Sequence, residues 1–236
     1  MSDTALAPGD IGRLNEEKAE KGAWSRLGWV FWIAFGWVFL MSFSALFADL
    51  LGFQDPLKTD LRNTFSPMMS DGHLLGTDPV GRDMLARIIY GAQVSLQIAY
   101  TAPLISLVLG LTFGISAGYF RGKVDGTIGI FVDAILAFPN IIAIIAILYF
   151  LGATLFNMIL VLGFFGMVGD LRVARANTIL YAEREFVLAA RAQGASHLRI
   201  MFKELLPNVM IPVLALAVIG MSRVIVIEGI LSFLGV

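Results

Sequence analysis

The sequence predicts an all-α protein that crosses a membrane several times, and three observations lead there. Of the 236 residues 58% are hydrophobic and only 15% charged, against about half and about a quarter in an ordinary soluble domain. The mean hydropathy is +0.81. So few charges cannot cover a water-soluble surface of this size, and the apolar excess faces a bilayer instead. The apolar residues are also gathered into charge-free stretches, each long enough to carry a helix across a hydrocarbon core of ~30 Å.

Taken in order, the first 26 residues are polar, carry Asp, Glu and Lys, and form a tail with no assigned chemistry. The 22 uncharged residues from Leu27 to Ala48 give the first span, 27–48. They exceed a usual signal-peptide core, so a retained anchor is expected rather than a cleaved leader. Residues 49–93 form a loop. The 33 uncharged residues between Arg87 and Arg121 hold the second span, 94–118. The 36 between Asp133 and Asp170 would make a helix of ~54 Å, too long for one crossing. Leu151-Gly152-Ala153-Thr154-Leu155-Phe156-Asn157 marks the break, so two spans are expected, 127–150 and 155–175. The fifth, 206–229, runs through Arg223.

Orientation follows from Lys and Arg, which stay on the cytoplasmic side of short loops. With the N-terminus inside, twelve of the 17 basic residues are cytoplasmic. Four (Lys58, Arg62, Arg82, Arg87) lie in the external loop, beside six aspartates. The N-terminus is therefore expected to be cytoplasmic, and His73 and its neighbouring aspartates to be ordinary exposed residues.

Composition excludes several functions. A net charge of −1 gives no footprint for nucleic acid. With no cysteine, disulfides, thiolate metal sites and cysteine nucleophiles are ruled out. His73 and His197 lie far apart and form no metal cluster. No zinc-binding His-Glu-x-x-His, no Gly-x-Ser-x-Gly elbow and no phosphate-binding Gly-x-x-x-x-Gly-Lys-Ser/Thr loop is present. No catalytic residue is assigned.

What remains is the polar segment 177–206 between spans four and five. Phe186, Val187, Ala189 and Ala190 are expected on one face of a short helix, Gly194 at the turn, and Ser196 as cap of the next helix. There Leu198, Met201, Phe202 and Leu205 recur at helical spacing, opposite Arg199 and Lys203. Such a bent amphipathic pair suits docking into a groove on a partner protein and, equally, a helix lying on the membrane face.

At these residues the chain resembles a membrane subunit of a binding-protein-dependent ABC importer, of the dipeptide/oligopeptide/nickel permease family. The family's signature runs Glu-Ala-Ala-x-x-x-Gly, nine further residues, then Ile-x-Leu-Pro. Ala189, Ala190, Gly194, Leu206 and Pro207 match at that spacing, with Leu188 in place of the glutamate and Glu204 in place of the isoleucine. Phe186 to Ser196 is similar to the peptide-permease version. His73 to Asp83, followed by Arg87 to Ala92, resembles the segment entering span two in the second membrane subunit of such importers, and Ala117 to Asp125, Asp133 to Pro139 and Leu231 to Gly235 are similar to further blocks of the family.

The resemblance implies the type I ABC importer transmembrane fold, with a permease core over 94–236, in a bacterial inner membrane. It implies a homologous permease subunit, two ABC ATPase subunits and an external solute-binding protein as partners. ATP and Mg would sit on the ATPases, and this chain would bind no cofactor. Glu185, Phe186, Ala189, Ala190, Arg191, Gly194, Ala195, Ser196, Leu206 and Pro207 would form the ATPase-coupling element. Family members continue past the last block with an outer loop and a sixth helix, so the chain, ending at Val236, is expected to be a fragment or a truncated product.

Four residues are candidates for the translocation path. Asp133 lies near the cytoplasmic end of span three with Pro139 following, and Arg223 and Glu228 lie in span five, where ionisable groups pair or face a cavity. Arg223 and Glu228 point ~140° apart, so partners on the other membrane subunit are expected. Gly110, Gly114 and Gly118 allow close helix packing. The expected cargo is a di- or oligopeptide, with nickel or glutathione as alternatives. Outside this class stand an ATP-independent secondary transporter, for which no inverted repeat is visible, and a membrane scaffold.

Overall fold

The computed structural model describes residues 28–70 and 72–235. The tail 1–26, with four of the basic residues that set the expected orientation, lies outside them, as does Leu27 at the head of the first span. The chain divides into two compact units, residues 1–93 and 94–236.

In the first unit, α1 (Trp29–Leu46) is an uninterrupted apolar helix, nearly all of it exposed, as suits a surface for lipid. In the loop after it, turns and two isolated bridges satisfy part of the amides of the described residues, and aspartates take others. Asp55 accepts from the Leu57 amide at 2.9 Å, Asp60 from Arg62 at 3.0 Å, and Asp78 from both Val80 and Arg82 at 2.9 Å. This corrects the expectation of ordinary exposed residues. Asp78 and Asp83 are buried, Asp78 binds the guanidiniums of Arg82 (2.7 Å) and Arg87 (2.5 Å), and His73 Nδ1 lies 2.8 Å from Asp83. The other Asp83 oxygen accepts from the Ala86 amide at 2.7 Å and caps the next helix.

That helix, α2 (Met84–Phe120), starts ten residues before the expected span 94–118 and carries on into the second unit. The local cap at Asp83 sets its start, whereas the expectation followed hydropathy. Next come α3 (Gly122–Leu136), α4 (Asn140–Leu151), α5 (Leu155–Tyr181), α6 (Glu185–Ala192) and the long α7 (His197–Phe233). The expected single helix 127–150 is corrected to two, α3 and α4, bent by 84°. Pro139 offers no amide hydrogen and drives Phe138 out of helical conformation, so the chain stops and restarts at Asn140. The expected break at 151–157 is present: Gly152 has φ +86° and Thr154 caps α5 from the Asn157 amide. The Asn157 side chain returns to the Leu151 and Gly152 carbonyls at 2.9 and 2.8 Å. Among the described residues, four helices are long and apolar enough to cross a membrane, five if the bent pair is one span.

Part of the core of the second unit lies along two faces of α2. Leu107, Leu111, Ile115 and Tyr119, four apart, pack with Val187 of α6 and Ile200, Leu205, Val209, Val213 and Ala217 of α7. On another face Gly110, Gly114 and Gly118 meet Asp170, Ala174 and Thr178 of α5, also four apart. A Cβ on Gly114 would lie 2.5 Å from the Ala174 Cβ, and one on Gly118 2.7 Å from the Thr178 Cβ. Above this seam Gly166 lies against Ser106 and Gly163 against Ala102. Small residues bring the two backbones together here, where helix association rests on packing rather than on expulsion of water.

Candidate functional site

The segment from α6 to the start of α7 holds all ten residues of the expected coupling element. In α6 Val187 is fully buried and Ala190 half-buried, while Phe186, Leu188 and Ala189 are exposed. This corrects the expected four-residue face: at ~100° per residue the four cover an arc of ~160°, with buried Val187 at one edge, half-buried Ala190 next to it, and exposed Phe186 and Ala189 toward the other edge. Glu185 and Arg191 are exposed. Gly194 has φ +78°, a left-handed conformation that ends the helix. Its amide donates to the Arg191 carbonyl at 2.9 Å, and that of half-buried Ala195 to Ala190 at 3.0 Å. The Ser196 hydroxyl accepts from the Arg199 amide at 3.4 Å and caps α7.

α7 opens with a π-helical turn, Ile200–Leu205. Pro207 follows, exposed, with half-buried Leu206 before it. In an α-helix the Pro207 ring would collide with the carbonyl four residues back; a widened turn, in which the Leu206 amide reaches Met201, relieves that. The π turn also changes which residues share a face. Ile200 and Leu205, five apart, are both buried, and Val209, Val213 and Ala217 continue the line at four. The expected stripe of Leu198, Met201, Phe202 and Leu205 is therefore corrected: Leu205 is buried, whereas Leu198 and Phe202 are each 65% exposed.

Tyr119, at the end of α2, ties both halves of the loop down. Its hydroxyl pairs with His197 Nδ1 at 2.9 Å, and the Arg191 guanidinium sits 5.3 Å from its ring centre. A cation over an aromatic face is worth about 0.5–2 kcal/mol depending on its desolvation. Arg121 adds a 2.7 Å contact to Glu183. This pair is exposed and stabilises little.

The four expected path residues do not gather in one place. Asp133 lines a cavity of about 380 Å³ between α3 and α5, where Arg175 holds Asp125 through bonds of 2.5 and 2.6 Å. Arg223 lines another, of about 350 Å³. Pro139 forms the α3–α4 bend. Glu228 accepts from the Ser95 hydroxyl at 3.0 Å, a partner in its own chain. Sequence reasoning missed Asp170, which is buried, lines the Arg223 cavity and accepts a hydrogen bond from the Ser106 hydroxyl. The signal was available: an ionisable residue inside the expected span 155–175.

Comparison with known proteins adds a family match and three relatives. Residues 110–236 match the family of binding-protein-dependent transport system inner membrane components. The chain is 37% identical over 191 residues to the dipeptide transport system permease protein DppC of Alkalihalophilus pseudofirmus, covering 81% of this chain and 62% of that protein. To the di/tripeptide permease DppC of Pseudomonas aeruginosa it is 35% identical, covering 81% and 65%. To the glutathione permease GsiD of Pectobacterium atrosepticum it is 31% identical, covering 70% and 55%. The chain thus spans somewhat less than two thirds of the length of these relatives.

Proposed function

The chain belongs to the family of binding-protein-dependent transport system inner membrane components, and on that premise we propose that it is a pore-forming subunit of an ATP-driven importer of di- and oligopeptides in a bacterial inner membrane. It works beside a homologous permease subunit, two ATPases that carry the ATP and Mg, and an external solute-binding protein. The names of the relatives support the peptide class. The distribution of basic residues supports a cytoplasmic N-terminus, which sets the α6–α7 loop on the side of the ATPases.

The observation that carries this reading is the exposed apolar surface of that loop. Leu188, Leu198 and Phe202 are 51%, 65% and 65% exposed on a segment whose opposite side is anchored in the core. An apolar surface on a fixed support suits a groove in a soluble partner. Closure of the ATPases on ATP would draw this loop toward its counterpart and turn the pathway outward, and hydrolysis would release it. The energy enters as differential binding of the loop in the two states.

Affinity capture of an ABC ATPase tests it. Leu198→Glu and Phe202→Glu alter exposed side chains and leave the core intact, and each should abolish retention of the ATPase and peptide uptake. Unchanged retention in both would refute the coupling role. A second reading, glutathione as cargo, draws on the likeness to the Pectobacterium permease, and competition of uptake by glutathione decides between them.

A further inference from the structure

We propose that the cavity between α2, α4, α5 and α7 binds a short zwitterion of the free-dipeptide class, its ammonium on Asp170 and its carboxylate on Arg223 and Arg172. This rests on the importer reading and adds to it a place where cargo is held within the chain itself.

Asp170 is 5% exposed, seated beside Gly110, where only a residue without a side chain leaves room. One carboxylate oxygen takes the Ser106 hydroxyl. The other, Oδ1, takes no hydrogen bond among the described residues, although Asp170 lines the cavity. A hydroxyl satisfies one lone pair and leaves the second oxygen to the cavity, and a carboxylate that ionises at membrane depth calls for a cation. No arginine of the described residues supplies it: Arg82 and Arg87 hold Asp78, Arg121 holds Glu183 and Arg175 holds Asp125.

Arg172 and Arg223 line the same cavity, are exposed, and form no ion pair among the described residues. Glu228, the acid nearest Arg223 in sequence, is bonded to Ser95. The cavity therefore presents one deep anion and two outer cations that do not neutralise each other. An amine alone would leave the arginines unmatched, and a carboxylate alone would leave Asp170 unmatched. A molecule bearing both charges, one at each end, answers both. The volume of about 350 Å³ falls at the small end of ligand cavities, and Asn140 adds an uncharged donor and acceptor on the wall.

The chain has no cysteine, and Gly220 lines the cavity with open space where a side chain would project. Gly220→Cys therefore places a single thiol there. In the full chain in lipid nanodiscs, dialanine should slow modification of that thiol by N-ethylmaleimide. N-acetyl-dialanine, lacking the ammonium, and dialanine amide, lacking the carboxylate, should each need concentrations about tenfold higher or more. Adding Asp170→Asn should erase the preference over the acetylated ligand and keep that over the amide, and adding Arg223→Gln should do the reverse. Equal protection by all three ligands, or none by dialanine, overturns the assignment. If Asp170→Asn fails to fold, the Arg223→Gln arm decides alone. A Gly220→Cys chain that still captures the ATPase but is unprotected refutes this site and leaves the importer reading standing; failure of capture by the unaltered chain refutes the importer reading.

Discussion

The Tyr119 hydroxyl and His197 Nδ1 lie 2.9 Å apart across a separation of 78 residues, joining the end of α2 to the first residue of α7. With Arg191 against the same ring, one buried side chain fixes both arms of the α6–α7 loop. Tyr119→Phe keeps the ring and removes the hydroxyl. It should cost about 1 kcal/mol of local stability, read as faster amide exchange over 195–205, with exchange in 185–192 little changed. Tyr119→Leu removes the ring as well and should speed exchange in both arms. Equal exchange in all three proteins would show that the loop is held elsewhere.

The glycine seam predicts a sharp positional dependence. A Cβ on Gly114 would lie 2.5 Å from the Ala174 Cβ and 2.7 Å from the Leu171 carbonyl oxygen, whereas one on Gly129 would meet nothing within 4 Å. Gly114→Leu should lower stability by about 1–3 kcal/mol or more through overpacking, seen as a lower melting temperature in detergent. Gly129→Leu should melt close to the parent.

The loop before α2 should lose its structure in acid. Burial opposes ionisation of Asp78, but hydrogen bonds from the Arg82 amide and guanidinium and the Val80 amide prevail and hold its carboxyl at about 2. Hydrogen bonds from the Arg62 amide and the Asn63 side chain hold Asp60 below the usual range as well. A depressed carboxyl means the unfolded loop, with an aspartate pKa of about 3.9, takes up protons first as pH falls. The stabilisation is therefore complete above about pH 5 and lost progressively from about 4 down to 2. Hydrogen exchange across 63–83 should be flat above that window, after correction for intrinsic rates, and rise within it. Asp78→Asn should flatten most of the response.

The π turn makes a deletion experiment informative. Removing exposed Lys203 would shorten the Ile200–Leu205 interval from five to four, the spacing an α-helix holds on one face. That protein should fold with its buried face in line, the helix bending at Pro207 to clear the ring. Deleting Met210 instead turns Val213 and Ala217 by ~100° relative to Leu205 and Val209 and should abolish monodisperse protein. If the two deletions behave alike, the π turn is not what aligns the buried face.

How much of this was legible in the sequence depends on the range of the interaction that decides each feature. The stop at Gly152 and restart at Thr154 rest on a backbone conformation and a cap within a few residues, and both are written in Gly152-Ala153-Thr154-Leu155-Phe156-Asn157. Pro139 was equally visible. A single proline in a membrane helix is often tolerated, and composition alone does not say that the axis turns by 84° here. The stripe in α7 misled because helical periodicity assumes a constant turn, and the π turn inserts a residue. Asp170 and Ser106 are 64 residues apart, so nothing local announces their pairing. Arg175 and Asp125 are 50 apart and equally silent.

The four-residue repeat on both sides of the α2–α5 contact also limits how those helices can travel. Each glycine notch on α2 receives one residue of α5, so a slide of one or two residues would press a side chain against backbone. The next register that fits lies four residues away, a step of ~6 Å. The pair is therefore expected to act as a detent, either locked or displaced by a whole notch, so that a tilt imposed at one end of α5 carries α2 with it.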